Sequence, residues 1–237
     1  MARNVTRRGG PPRPASNADV DRFLTDLART PAPATVGRGR LIFALDATAS
    51  REPAWDSACH IQAEMFKETE ALGGLEIQLV YYRGFGECRA TKWLADSDTL
   101  VDRMVRVRCL GGRTQIRKVL RHAVKETEKQ KVNALVFVGD ACEEKVDLLC
   151  DTAGQLGLLG VPAFLFHEGP DPAAEQAFRQ IATLTGGAYC RFDANSAQHL
   201  RDLLSAVAVF AAGGRRALED FGRKRGGAVL QITRQVR

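Results

Sequence analysis

A run of apolar residues that ends on an aspartate constrains this chain more than any other stretch. Residues 41–45 are Leu-Ile-Phe-Ala-Leu, and Asp46 follows directly. Five consecutive apolar residues, preceded by Gly-Arg-Gly-Arg, predict a strand that is buried on both faces, as in a parallel sheet. Asp46 is therefore expected at the point where the strand leaves the sheet.

Oxygen-bearing side chains continue beyond this aspartate at every second position. Asp46, Thr48 and Ser50 would project to the same side if the loop were extended. One carboxylate and two hydroxyls, with no thiol or imidazole, are hard ligands that suit Mg²⁺. The spacing therefore predicts a cation site at the end of the first strand.

Two later segments have matching features. Thr114 follows Gly111 and Gly112 and precedes a helical pattern, and residues 135–139 form a second apolar strand that ends on Asp140. In a parallel sheet the carboxyl ends of both strands would meet at one edge. Three separate segments are thus expected to converge there.

These positions, in this order, resemble the metal-ion-dependent adhesion site of von Willebrand factor A (VWA) domains, and the resemblance spans about residues 40–212. It implies a protein-interaction module, not an enzyme, that binds Mg²⁺, or Mn²⁺, and captures an Asp or Glu of a partner protein. The implied metal residues are Asp46, Thr48, Ser50, Thr114 and Asp140. The chain departs from the family pattern at Thr48, where Ser is commoner, and at Gly139 and Ala141, which flank the second aspartate.

Alternating strand and helix patterns predict the fold class. We expect an α/β fold with a doubly wound, mostly parallel central sheet, one antiparallel edge strand and helices on both faces. Further strands are predicted at 75–82, 88–94, 132–140, 161–166 and 188–192, the first two forming a hairpin. Helices are predicted at 53–72, 99–107, 146–158, 172–185 and 196–212, and also from residue 116 onward.

Charge divides the chain into three parts. Residues 1–40 carry eight Arg against three Asp, a net +5, and residues 213–237 carry seven Lys or Arg against two acids, again +5. We predict a basic, largely disordered arm over 1–39 with a short amphipathic helix near 17–29, a VWA domain over 40–212, and a basic C-terminal extension over 213–237. A contact of the basic ends with nucleic acid or an acidic partner stays open as an alternative.

No segment approaches the roughly 18 consecutive apolar residues that a membrane span needs. The basic start has no apolar stretch behind it, so we expect no secretory signal and a cytoplasmic location. The six cysteines form no Cys-x-x-Cys pair, which argues against a zinc site.

One alternative is a Mg²⁺-dependent phosphatase of the haloacid-dehalogenase type. That chemistry also begins with an aspartate at a strand end, but it needs a second acid two residues later, where this chain has Thr48. A second alternative is that Asp46, Thr48 and Ser50 only cap the following helix. No nucleophile–base pair and no phosphate-binding glycine loop occurs in the chain, so the sequence offers no reaction to assign.

A turn beside the predicted site carries an unusual aromatic residue. Phe85 lies between Gly84 and Gly86, directly after Arg83. Arg and aromatic side chains dominate interface hot spots, so Arg83 and Phe85 are candidate partner contacts. The competing interpretation is that the Phe85 ring folds back over the end of the hairpin.

Overall fold

The computed structural model of the chain describes residues 38–51, 74–192 and 197–225, together with parts of 22–29. Six strands are present: β1 (Gly39–Asp46), β2 (Leu75–Arg83), β3 (Glu87–Ala90), β4 (Ala134–Gly139), β5 (Ala163–Glu168) and β6 (Ala188–Phe192). The helices with described bounds are α1 (Ser97–Val105), α2 (Ile116–Lys129), α3 (Val146–Leu158), α4 (Pro172–Thr185) and α5 (Ala197–Arg225). The described residues among 22–29 are also helical. Four predicted parts lie outside the described residues: the helix at 53–72, the first residue of the helix at 196–212, most of the basic arm and the end of the C-terminal extension.

The strands form a single sheet in the order β3-β2-β1-β4-β5-β6. All neighbouring strands are parallel except β2 and β3, which form the antiparallel edge. The predicted fold class is therefore confirmed, including its one antiparallel edge strand.

Apolar side chains alternate across the sheet and form one core on each face. Leu41, Phe43 and Leu45 of β1 belong to the core that α1 and α5 cover. Ile42 and Ala44 belong to the core that α2, α3 and α4 cover. Every residue of β1 is buried, because helices cover both of its faces.

Side chains from outside the predicted 40–212 segment join the first of these cores. Phe23 and Leu27 are fully buried there, and Ala217 and Phe221, beyond residue 212, are buried to about nine-tenths. The Phe23 ring lies 5.2 Å from the Phe166 ring, measured between centroids. α5 continues to Arg225 across a break in helical geometry at Gly214, whose φ is 68°.

The edge strand is shorter than predicted. β3 ends at Ala90 instead of 94, and the chain rejoins β2 only through an isolated bridge between Leu94 and Ile77. Val80 pairs with Ala90, and Ile77 pairs with Leu94. Between these two pairs, β2 has two residues and the opposite segment has three. The extra residue makes this segment a β-bulge, which interrupts the ladder.

The order of connections places a switch point between β1 and β4. From β1 the chain moves outward to β2 and β3, and it then returns to β4 on the other side of β1 and continues to β5 and β6. In open parallel sheets, ligands bind outside the carboxyl ends of the strands at such a point. Asp46 and Asp140 stand at the carboxyl ends of these two strands.

Candidate functional site

Asp46 is fully buried at the end of β1, and both of its carboxylate oxygens have hydrogen-bond partners. Oδ2 accepts a hydrogen bond of 2.8 Å from the hydroxyl of Tyr82, its register neighbour on β2. Oδ1 accepts one of 2.8 Å from the backbone N–H of Thr48. The pKa of Asp46 is raised above its usual value. Burial is the largest cause, the nearby Asp140 carboxylate also raises the pKa, and these hydrogen bonds lower it. The protein thus holds this carboxylate in a fixed orientation.

The segment after Asp46 is not the extended loop that the sequence predicted. Because Asp46 accepts from the N–H two residues later, the chain turns and enters a short 3₁₀ turn, Ala49–Arg51. Thr48 and Ser50 nevertheless stay together, with their hydroxyl oxygens 3.1 Å apart. Thr48 is buried and Ser50 is exposed, so the pair leads from the interior to the surface.

Asp140 follows β4 and lies close to Asp46. A Cβ built on Gly139 would be 3.6 Å from the Cβ of Asp46, so the two strand ends touch. Oδ1 of Asp140 is buried and has no hydrogen-bond partner. A buried carboxylate oxygen without a partner is rare, because desolvation without compensation is costly.

An open cleft of about 500 Å³ begins at this oxygen-rich end of the sheet. We call it the carboxyl-end cleft, and it is lined by Ser50, Asp140, Glu168, Gly169, Pro170, Asp171 and Pro172. Two of the five predicted metal residues thus share one surface depression. Asp46 and Thr48 are buried next to them.

Thr114 is tied to the loop that follows Asp140. Its hydroxyl accepts a hydrogen bond of 3.0 Å from the N–H of Glu143, and its own N–H donates to the Glu143 carboxylate at 3.2 Å. Thr114 does not line the carboxyl-end cleft. The structure therefore joins Thr114 to the Asp140 loop through Glu143.

Three side chains that the sequence pattern did not indicate organise this end of the sheet. Tyr82 bonds Asp46, Glu143 bonds Thr114, and the Glu144 carboxylate accepts from the backbone N–H groups of Ile116 and Arg117 at the start of α2. Glu144 thereby replaces a local cap, since Gln115 at the N-cap position makes no side-chain cap bond. The only signals in the sequence were the position of Tyr82 at a strand end and the two acids after Asp140.

The donor chemistry of this region fits a hard divalent cation. Among the described residues, no three His, Cys, Asp or Glu side chains form a group that could hold a metal ion by themselves. The predicted set contains two carboxylates, and its remaining donors are the hydroxyls of Thr48, Ser50 and Thr114. An all-oxygen set of this kind suits Mg²⁺, which usually keeps several waters.

The two predicted partner contacts have different surroundings. The Phe85 side chain is 84% exposed at the tip of the β2–β3 turn, so it does not fold back over the hairpin. Arg83 bonds Glu87 through two nitrogens, at 3.0 and 3.1 Å, and also donates to the carbonyl oxygen of Arg108. Arg83 fastens the turn that presents Phe85.

Solved structures identify the fold. The chain is similar to the SpRpn10 VWA domain, with a TM-score of 0.56 and 13% identity over 70% of this chain and 94% of that one. It is also similar to the vWF domain of the type V pili tip protein Mfa5 from Porphyromonas gingivalis, with a TM-score of 0.58 and 10% identity over 81% and 99% of the two chains. The fold is that of VWA domains.

A further solved structure has the same level of similarity. The pilus adhesin SpaC from Lactobacillus rhamnosus GG matches with a TM-score of 0.57 and 10% identity over 76% of this chain, which spans only 31% of the adhesin. No family model and no curated protein matches the sequence. No helix in the described part of the chain is long and apolar enough to cross a membrane.

Proposed function

We propose that this chain is a protein-interaction module that binds a divalent cation, Mg²⁺ or Mn²⁺, at the carboxyl ends of β1 and β4. The metal residues would be Asp46, Thr48, Ser50, Thr114 and Asp140. A partner protein would present an Asp or Glu carboxylate to the cation through the carboxyl-end cleft.

The observation that carries the proposal is the buried, unpaired Oδ1 of Asp140. It lies at the switch point of the sheet, next to Ser50 and close to Asp46. A cation would compensate both the missing hydrogen bond and the proximity of two carboxylates. Capping alone accounts for the Asp46–Thr48 hydrogen bond, but it leaves Asp140 unexplained.

Neighbouring residues orient the side chains that would bind the cation. Tyr82 and the Thr48 N–H fix the Asp46 carboxylate, and Glu143 fixes the Thr114 side chain. When bound, the cation supplies a positive charge that attracts an anionic side chain. Because only two of the donors are carboxylates, they would neutralise the charge of the cation incompletely, and the cation would still attract a carboxylate of the partner. The open carboxyl-end cleft would give that carboxylate access to the cation.

The phosphatase alternative has weaker support. Position 48 carries a hydroxyl whose oxygen bonds that of Ser50, so no carboxylate stands two residues after Asp46 to act as general acid.

We therefore propose a binding role, with the exposed Phe85 as an apolar contact beside the cation. A contribution of Arg83 to that contact and a cytoplasmic location stay predictions, as does any contact of the basic ends with nucleic acid.

Isothermal titration of the chelator-stripped protein with Mg²⁺ tests the proposal. We expect one site of modest affinity that disappears in Asp46→Ala and in Asp140→Ala and weakens in Thr114→Ala, because each change removes an oxygen donor. The matched control is Asp151→Ala, which removes an exposed acid on α3. Binding that is equal in wild type, Asp46→Ala and Asp140→Ala would refute the site.

A further inference from the structure

A second cleft lies at the antiparallel edge of the sheet, between β3 and α1. We call it the edge cleft. Its volume is about 470 Å³, and it is lined by Leu79, Tyr81, Arg89, Ala90, Thr91, Lys92, Leu94, Arg103, Arg106 and Val107. None of these residues belongs to the candidate metal site.

The β-bulge after β3 shapes this cleft. The chain leaves the ladder after Ala90 and rejoins it at Leu94, which exchanges two backbone hydrogen bonds of 2.8 Å with Ile77. The Thr91 hydroxyl holds the bulge in place by accepting from the Leu79 N–H and donating to the carbonyl oxygen of Lys92. The displaced segment therefore forms a fixed wall.

The lining is strongly cationic. Four of its ten residues are Arg or Lys: Arg89, Lys92, Arg103 and Arg106. Arg89 is paired with Glu87 at 2.6 Å, whereas Lys92, Arg103 and Arg106 form no ion pair with any other described residue. The acids of α1, Asp98 and Asp102, do not line the cleft. Three positive charges thus surround it without a described counterion.

The remaining lining is apolar and aliphatic. Leu79, Leu94 and Val107 form its base, and Tyr81 adds a ring that lies 5.7 Å from the Arg83 guanidinium. The cleft therefore combines a small apolar base with a positively charged rim. It also adjoins β3, the last strand of the described sheet, whose outer edge has no ladder partner there.

We propose that the edge cleft docks an extended, acidic segment of a partner protein. Acidic side chains would meet Lys92, Arg103 and Arg106, apolar side chains would meet the aliphatic base, and the backbone would run along the open edge of β3. Extended peptides commonly bind by adding a strand to a sheet edge. This interaction is separate from the proposed metal site.

The composition of the cleft favours a peptide over nucleic acid. Single-stranded nucleic acid binds through aromatic platforms on which successive bases stack. The edge cleft offers one aromatic ring, Tyr81, and that ring already has a guanidinium near it. Leucine and valine side chains suit the apolar residues of a peptide better than bases.

Fluorescence anisotropy with a labelled synthetic peptide of interspersed Glu and Leu residues tests the proposal on the full chain. All titrations contain a chelator, so failure of the metal site cannot affect the result. We expect binding that weakens as salt is added and that is lost when Gln replaces every Glu of the probe. We further expect about a tenfold or greater loss of affinity in Arg103→Glu/Arg106→Glu, because each change turns an attraction into a repulsion.

The matched control is Arg121→Glu/Lys125→Glu, which makes the same change of net charge on the exposed side of α2. Its affinity for the acidic peptide should stay close to wild type, and Lys92→Glu on the bulge should weaken binding independently of α1. Equal losses in the control would mean that net charge alone drives binding, and would overturn the proposal. It would also be overturned if a labelled oligothymidylate, and not the peptide, bound in a manner sensitive to Arg103→Glu/Arg106→Glu.

Discussion

At the scale of single residues, the polar side-chain atoms buried in this protein differ in whether they have a hydrogen-bond partner. His122 is a paired example on α2, where its Nε2 lies 2.7 Å from Oε1 of Gln78 on β2. Burial lowers the pKa of His122, Glu126 raises it, and Lys129 and Lys125 lower it. Asp140, with its unpaired Oδ1, is the contrasting case at the carboxyl end of the sheet.

The lowered pKa of His122 predicts a pH dependence of stability. The folded state favours neutral His122, so its contribution is present above the unfolded pKa, about 6.5, and is lost as pH falls through the lower folded value. We expect wild type to lose more stability than His122→Gln when pH falls from about 7 to about 5, because only wild type has an imidazole at position 122 that takes up a proton on unfolding. Urea unfolding across this range measures the difference, and parallel stability profiles would contradict the assignment.

At the scale of elements, the β2–β3 turn and the loop before α2 support each other. The Arg113 N–H donates to the carbonyl oxygen of Gly84 at 3.1 Å, and the Gln115 side chain donates to the carbonyl oxygens of Arg83 and Gly84 at 3.2 and 3.3 Å. A Cβ on Gly112 would lie only 2.0 Å from that Gly84 oxygen. Gly112 therefore permits the close contact between the Thr114 loop and the turn.

Two adjacent glycines give a controlled test of this contact. Gly112→Ala must push the turn away, so we expect a loss of about 1–3 kcal/mol in unfolding free energy and weaker Mg²⁺ binding through displacement of Thr114. Gly111→Ala meets nothing within 4 Å and should change stability by less than about 0.5 kcal/mol. Chemical denaturation and calorimetry on both variants measure these effects. Equal behaviour of the two variants would show that the turn does not position the Thr114 loop.

At the scale of the whole molecule, the core extends beyond the segment that resembles VWA domains. Phe23 packs against Phe164 and Phe166, with ring centroids 6.0 and 5.2 Å apart, and Phe164 packs in turn against Phe210 of α5. Phe23 is fully buried, whereas Phe85 at the hairpin tip is 84% exposed. One phenylalanine completes the core, and the other is available at the surface.

Substitution of these two residues by alanine should separate their roles. Phe23→Ala should cost about 3–5 kcal/mol of unfolding free energy, because it opens a cavity against the sheet. Phe85→Ala should cost less than about 0.5 kcal/mol, since its ring buries little surface. Urea denaturation of both variants is the measurement. A neutral Phe23→Ala would mean that the segment near 22–29 contributes little to the fold.

The sequence by itself determined the central strands, their mostly parallel arrangement and the position of the two aspartates. Apolar runs and helical periodicity are local properties that burial enforces, so 41–45 and 135–139 predicted central strands, and Asp46 and Asp140 had to stand at their ends. Tertiary structure alone decided which groups hold Asp46 and Thr114, because the Tyr82–Asp46 and Glu143–Thr114 hydrogen bonds join residues 36 and 29 positions apart. It also decided the docking of Phe23 and the bulge that shapes the edge cleft. These depend on how distant surfaces fit together, and no local pattern encodes that fit.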